Sequence, residues 1–529
     1  MRCYAVAPLA ATKSDTFTYR AARPLTRGAV VKIPLAGRKT LGVVIGPAKS
    51  WPGAAEAEFT GLVLGPVHLS IGAWVSKQYL APLGMAMKLL VNDAIIKHER
   101  RMGTVPSPSR NRYPEPKVSM EARRLPYYLH VLQHTLSEHK QGLFVLPELL
   151  LGAEFKRRLT ADLNVNDLVE YHSKLTSKQR ADIWWRVAGG EPLVVIGGRS
   201  ALFLPWQKLS SLIVDEEDDL SHKHERTPRY HARAVAAKLS QLHGSALIYG
   251  SASPSLEVLA QVSAGKIRPA GVPFRLQPPR IIDMQRQQRA GELSYELWQA
   301  LAGRSNGTRV LIFAPQSALG RVGAEIAQEF PDARVEILDT AANPAKVIAS
   351  FGSGKVDVLV GSSTLARGWQ MQADIIGVTH LDRLLQLPDF RATEKAYALL
   401  RKLATHLTGP GMMYVQTDTP GHPVLARIAE EPLTFAATEM TERKLLGYPP
   451  ATRLTRIVIT ADTPEAARAE AAKVTNRLSQ AGLDFVPPSE ASNAGGKRRW
   501  QILYQGDPGR LRPHLEQRWT VDVDPVSML

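Results

Sequence analysis

Leu212-Ile213-Val214-Asp215-Glu216-Glu217-Asp218 is an apolar run that ends in consecutive carboxylates. A strand of this form normally sets one carboxylate on a nucleotide-bound Mg²⁺ and the next beside the attacking water. Farther on, Leu247-Ile248-Tyr249-Gly250-Ser251-Ala252-Ser253-Pro254 reads as a second buried strand running into a small-residue turn, the form of a helicase motif III. Together they set an α/β reading for the middle of the chain. Yet no Gly-x-x-x-x-Gly-Lys-Ser/Thr occurs in the sequence. Neither the loop of backbone N–H groups nor the lysine that would hold β- and γ-phosphates is present. Gly352-Ser353-Gly354-Lys355 is a decoy. Ala349 stands where the first glycine belongs, Val356 where the metal-binding hydroxyl belongs, and an expected strand follows rather than precedes it.

Outward from the acidic strand, helical stretches alternate with apolar strands at Gly142–Leu146, Leu193–Ile196, Leu212–Val214 and Ala246–Tyr249. A second series follows at Arg309–Phe313, Arg334–Leu338, Val356–Val360 and Ile375–Val378. Such alternation predicts parallel sheets joined by right-handed crossovers. The fold class is α/β, two RecA-like lobes in tandem over 125–280 and 281–441. Before them, residues 1–100 carry short β runs punctuated by Pro and Gly, then a helical pattern around Trp74, Tyr79 and Leu80. Residues 101–124 hold Pro106, Pro108, Pro114 and Pro116 among Ser, Arg and Asn, and read as a basic linker. The segment 442–529, with strands expected at Arg456–Thr460, Arg499–Tyr504 and Arg518–Val523 and a helix at Thr463–Ala481, is a separate small α+β domain.

The chain has 529 residues, 44% of them hydrophobic, and a formal charge of +17. A membrane span needs roughly 18 uncharged apolar residues in a row, and none is present; a cytoplasmic, nucleoid-associated protein is expected. One cysteine, Cys3, excludes an internal disulfide framework and a Cys₄ or Cys₂His₂ zinc site. The positive balance favours a polyanionic partner. Between Asp15 and Glu56 there is no acidic residue, while Arg20, Arg23, Arg27, Lys32, Arg38, Lys39 and Lys49 are all present. That one-sidedness is an electrostatic footprint for a phosphate backbone. Phe17 and Tyr19 alternate to one face of the same strand and are candidates for base stacking or for a barrel core. His222-Lys223-His224 reads as an unliganded solvated loop, and one of Trp184-Trp185 as core. The basic turn Lys497-Arg498-Arg499 entering a strand is a further candidate grip on phosphates.

Several stretches together resemble the bacterial primosomal replication-restart family PriA (primosomal protein N′) over nearly the whole length. They include Val195-Ile196-Gly197-Gly198-Arg199-Ser200-Ala201-Leu202-Phe203, Val214-Asp215-Glu216-Glu217 and Pro228-Arg229-Tyr230-His231-Ala232-Arg233. Gly250-Ser251-Ala252-Ser253-Pro254, Trp500-Gln501-Ile502-Leu503 and Val521-Asp522-Val523-Asp524-Pro525 add to them. The resemblance implies an N-terminal 3′-end DNA-binding domain over 1–100, degenerate helicase lobes, forked DNA as ligand, and other primosome proteins and single-strand binding protein as partners. The candidate DNA contacts are Phe17, Arg20, Arg38, Lys39, Arg229, Lys497, Arg498 and Arg499.

The departures are as informative. Arg123-Arg124-Leu125-Pro126-Tyr127-Tyr128-Leu129 stands where the family has its Walker A loop, and Pro315-Gln316-Ser317-Ala318 replaces motif IV. The zinc cysteines are missing with their insertion, and Thr18 replaces the aspartate of the 3′-end pocket. Motif V keeps its outline as Gly361–Gly368, but Arg401-Lys402-Leu403-Ala404-Thr405-His406 replaces the arginine-finger turn. An arginine finger is worth on the order of 10³–10⁵ in kcat. The expectation is therefore a DNA-binding restart scaffold with no catalytic residue, no resident cofactor and no zinc. Asp215 and Glu216, a vestigial Walker B, take a lobe-packing or loop-capping role. The alternatives are an ATP- and Mg²⁺-dependent 3′-to-5′ helicase with an unorthodox nucleotide site, and an RNA-binding remodelling cofactor.

Overall fold

The computed structural model describes residues 2–12, 14–98, 103–104, 113–147, 159, 163, 167–287, 291–339, 344–367, 371–494, 497–516 and 518–527. Residues 101–102 and 105–112 of the 101–124 stretch, Gly368 and the Gly495-Gly496 turn lie outside the described residues, as does the side chain of Lys497.

Two all-parallel sheets form the centre. In the first lobe the strand order is Leu168–Tyr171, Leu193–Gly197, Gln141–Val145, Leu209–Asp215, Ala246–Gly250, Lys117–Ser119 and Arg268–Ala270. Runs such as Leu193–Gly197 and Gln141–Val145 are buried at every position because helices cover both faces. The acidic strand is central and extends to Leu209–Asp215, three residues further back than its apolar run suggests. In the second lobe the order is Arg280–Asp283, Leu407–Thr417, Ala373–Val378, Val310–Phe313, Val358–Gly361 and Val335–Leu338. Gly352 closes the helix Pro344–Gly352 and the strand Val358–Gly361 follows, so the glycine-lysine run there opens no helix.

The Pro-rich stretch is more than a linker. Its end supplies the strand Lys117–Ser119, parallel to Ala246–Gly250, and a short connection into the helix Leu125–Ser137. Three residues are too few for periodicity to reveal, and the prolines mask the signal.

The N-terminal sheet runs Ala55–Glu56, Phe17–Ala21, Arg2–Pro8, Arg38–Pro47, Ala29–Leu35, Glu58–Val63 and Gly103–Thr104. Leu35 pairs with Arg38 across Ala36-Gly37, both at positive φ (48° and 76°), the geometry of a two-residue type I′ hairpin. The hairpin projects Arg38 and Lys39 into solvent. The helix Pro66–Gln78 joins this sheet to the first lobe, where buried Trp184 donates its indole N–H to Leu90 O at 3.1 Å. The C-terminal sheet, order Phe485–Ala494, Lys497–Gln505, Leu454–Ala461 and Thr520–Val523, is antiparallel with the helix Pro464–Gln480 on one face. Asp15 ties the two ends of the chain together, accepting from Leu83 N at 2.9 Å and from Arg512 at 2.8 Å.

Candidate interlobe site and nucleic-acid interface

The carboxylates at the end of Leu209–Asp215 face the helix Leu125–Ser137, which follows the strand Lys117–Ser119 with only Met120–Arg124 between. A P-loop joins a strand to a helix in the same way, but through about eight residues whose amides wrap a phosphate. Here the connection is shorter, and Pro126 at the start of the helix removes one of the donors a phosphate would use.

Arg124 is buried at that helix start. Its Nε donates to Asp215 Oδ1 at 2.9 Å and its Nη2 to Glu216 Oε1 at 2.5 Å, while Nη1 donates to Glu121 O at 2.7 Å. The Tyr128 hydroxyl, one helical turn on, donates to Asp215 Oδ1 at 2.8 Å. From the second lobe, Lys402 on the helix Ala392–Ala404 reaches Glu216 Oε2 at 2.7 Å and Asp218 Oδ2 at 2.6 Å. A guanidinium and an ammonium supplied by the chain thus lie on the carboxylates that a nucleotide-bound Mg²⁺ would need. Mg²⁺ requires a near-octahedral set of oxygens, and Glu216 has each oxygen engaged by a fixed cation. This donor set does not fit a metal–nucleotide complex.

Burial alone would raise the Glu216 carboxyl. Lys402 and then Arg124 outweigh it and hold Glu216 below the ordinary carboxylate value. Asp218 moves the other way: burial, with Glu216 and Glu217 alongside, pushes it up to about 6 against the pull of Lys402. Glu216 has φ 48°, a left-handed conformation that costs a non-glycine residue about 1–2 kcal/mol. The ion pairs hold it there.

Further links cross the same seam. Arg367 pairs with Asp219 at 3.3 Å, Arg391 with Glu257 at 2.6 Å, and Glu394 accepts from Leu256 N at 3.1 Å. Arg233 pairs with Glu217 at 2.6 Å within the first lobe. Arg401, at the place of the arginine-finger turn, faces away from the carboxylates and donates to Glu430 O at 3.0 Å and Phe274 O at 2.5 Å. Sequence reasoning marked Arg124 and Lys402 as departures from a motif but gave them no partners. The signal was charge: a buried acid cluster needs cations from somewhere.

Gly250 shows how tightly the site is built. A Cβ there would fall 1.6 Å from the Tyr128 hydroxyl oxygen and 2.6 Å from Asp215 Oδ1. Gly250→Ala is therefore expected to lose about 1–3 kcal/mol of stability by overpacking. An unchanged urea midpoint would contradict this placement of Tyr128.

The solvated loop expected at His222-Lys223-His224 is not one. His222 is buried with Nε2 3.0 Å from Asp215 O. Lys223 is buried too, donating to Val523 O at 2.6 Å and pairing with Asp522 at 2.8 Å, so the segment docks the C-terminal domain. Its polar composition hid that Lys223 and His222 have buried partners waiting.

Among the expected DNA contacts, Arg20, Arg38, Lys39 and Arg498 are exposed, and Arg20 lies in register with Glu56. Phe17 keeps 37% of its surface exposed, while Tyr19, two residues on, is buried with its hydroxyl donating to Pro34 O at 3.0 Å. The strand therefore divides between surface and core. Arg229 and Arg499 are half-buried, far from that basic stretch in sequence, against the C-terminal sheet.

A family profile described as the primosomal protein N C-terminal domain matches residues 444–526. The chain is 26% identical to the replication restart protein PriA of Treponema pallidum, over 97% of this chain and 98% of that protein. It is 26% identical to that of Bacillus subtilis over 71% of this chain and 57% of the relative. With Haemophilus influenzae PriA the identity is 27%, over 76% and 68%. Among solved structures, RecG bound to a three-way DNA junction is similar with a TM-score of 0.44 at 12% identity, covering 71% of this chain and 51% of that one. Yeast Dbp5 bound to RNA and ADP BeF3 gives 0.43 at 13% identity, over 72% and 98%. Two tandem RecA-like α/β lobes are thus flanked by a β-rich domain and an α+β domain. The chain is similar over nearly its whole length to replication restart proteins PriA, and its C-terminal segment matches the primosomal protein N C-terminal domain.

Proposed function

We propose that this chain is a DNA-binding replication-restart protein that recognises forked DNA and supports primosome assembly without ATP-driven unwinding. The observation that carries the reading is the pairing of Asp215, Glu216 and Asp218 with Arg124 and Lys402 in place of a metal and its nucleotide. The shared restart-protein name of its relatives and the exposed acid-free N-terminal stretch support the DNA ligand. Primosome proteins and single-strand binding protein are the partners this role implies. Among the described residues no helix is long and apolar enough to cross a membrane.

The test is nucleotide binding and turnover. Calorimetry with ATP–Mg²⁺ at millimolar concentration should give no saturable heat, and single-stranded DNA should stimulate no phosphate release. Fork affinity should be the same with and without nucleotide. DNA-stimulated hydrolysis that Glu216→Gln abolishes would establish the helicase instead.

A further inference from the structure

The N-terminal sheet has a second cationic end. Its hairpin tip carries Arg38 and Lys39, but the strand Arg38–Pro47 runs on and ends about 30 Å away. There the start of Arg2–Pro8, the end of Arg38–Pro47 and the turn before Ala29 enclose a trough of about 670 Å³. Arg2 and Arg27 line it together with apolar Leu25, Val44 and Ile45. Both arginines are exposed, and none of the residues lining the trough is acidic.

The turn that carries Arg27 is fixed. Leu25 N donates to the Tyr4 hydroxyl at 3.0 Å and Gly28 N to Val44 O at 2.8 Å, which ties the turn to both flanking strands. Guanidinium forks match phosphate oxygens. The apolar lining favours a ligand that also brings a sugar and an unpaired base, which the outside of a duplex does not offer. The trough is also in line with Phe17. Arg2 is the register partner of Ala21, and Phe17 begins the same strand about 13 Å from Ala21. A stacked strand rises roughly 3.4 Å per nucleotide, so one short strand reaches both places.

We infer that the trough holds one nucleotide of an unpaired DNA strand, its phosphate on Arg2 and Arg27 and its sugar and base on the apolar lining. The inference rests on the DNA-binding reading above. It gives the N-terminal domain a contact separate from the hairpin tip, so that a single strand is held at two points and its path across the sheet is set.

The chain carries its own reporter. Cys3 lines the trough, is partly exposed and is the only cysteine. Its alkylation by N-ethylmaleimide, an uncharged reagent, is read by intact mass on the full chain, with the anisotropy of a labelled oligonucleotide giving DNA binding in the same samples. A single-stranded oligonucleotide at about ten times its Kd should slow alkylation roughly tenfold. The double variant Arg2→Ala/Arg27→Ala should alkylate at close to the wild-type rate without DNA and lose the protection. Its log–log salt slope on the single strand should fall by roughly 0.7–1.4, the value of one or two phosphate contacts. An oligonucleotide that binds the wild type without slowing alkylation would overturn the inference and leave the DNA reading intact, as would a double variant that stays protected. Equal protection by a blunt duplex would overturn the assignment to an unpaired strand. A wild type with no anisotropy change on any DNA would defeat the DNA reading and the inference with it.

Discussion

Lys402→Ala is expected to lower the unfolding free energy by about 3–5 kcal/mol, because it strands two buried carboxylates without their cation. Lys402 serves Glu216 at 2.7 Å and Asp218 at 2.6 Å, and the three side chains are almost wholly buried. Adding Asp218→Asn to Lys402→Ala should recover part of the loss by removing one stranded charge. Urea unfolding reads both, and a Lys402→Ala protein as stable as wild type would show that the seam is not held this way. The pH dependence separates the two acids. Glu216 is held low, so its contribution is full above the unfolded carboxyl value and is lost as pH falls through the folded one. Asp218 is raised to about 6, so the folded state takes up its proton first, and this group favours folding more as pH falls from 7 toward 4. His222 is lowered, first by burial, and pulls in the opposite sense over part of that range. The comparison is therefore wild type against Asp218→Asn, whose single substitution should delete one folding-linked proton between pH 5 and 7.

The second large effect is on DNA. Arg20, Arg38 and Lys39 are exposed on the N-terminal sheet, two of them on a hairpin tip. If each neutralises one phosphate, the triple alanine variant should lose roughly 2–3 from the log–log slope and bind forks about a hundredfold more weakly near 0.15 M salt. Its melting temperature should hardly move, since surface changes of this kind stay within about 0.5 kcal/mol each. Phe17→Ala should behave differently, weakening substrates with an exposed 3′ end more than plain duplex, because stacking requires an unpaired base. A triple variant with the wild-type slope would mean that the basic stretch is only a solvated surface.

The parallel sheets were legible because strands such as Leu193–Gly197 and Val310–Phe313 are apolar throughout and sit between helical stretches. Short or edge strands were not. Lys117–Ser119 and Arg268–Ala270 are three residues each and begin on a cation, and their place is set by neighbours rather than by their own pattern. The acidic strand announced a site, and the missing P-loop announced that the site had changed. The cations that pair with the acids were illegible, because Arg124 and Lys402 are far apart in sequence and an arginine at a helix start or a lysine near a helix end looks like ordinary surface. Lys223 misled for the same reason: only the fold brings Asp522 to it.

The cations on Asp215, Glu216 and Asp218 are covalently part of the polypeptide. A seam closed by its own side chains has no dissociation constant. On the proposed reading, chelating magnesium would not open it, and neither would a fall in the cell's ATP-to-ADP ratio. On this account the geometry of the two lobes is blind to energy charge, and the protein would stand ready at a stalled fork in a starved cell as in a growing one.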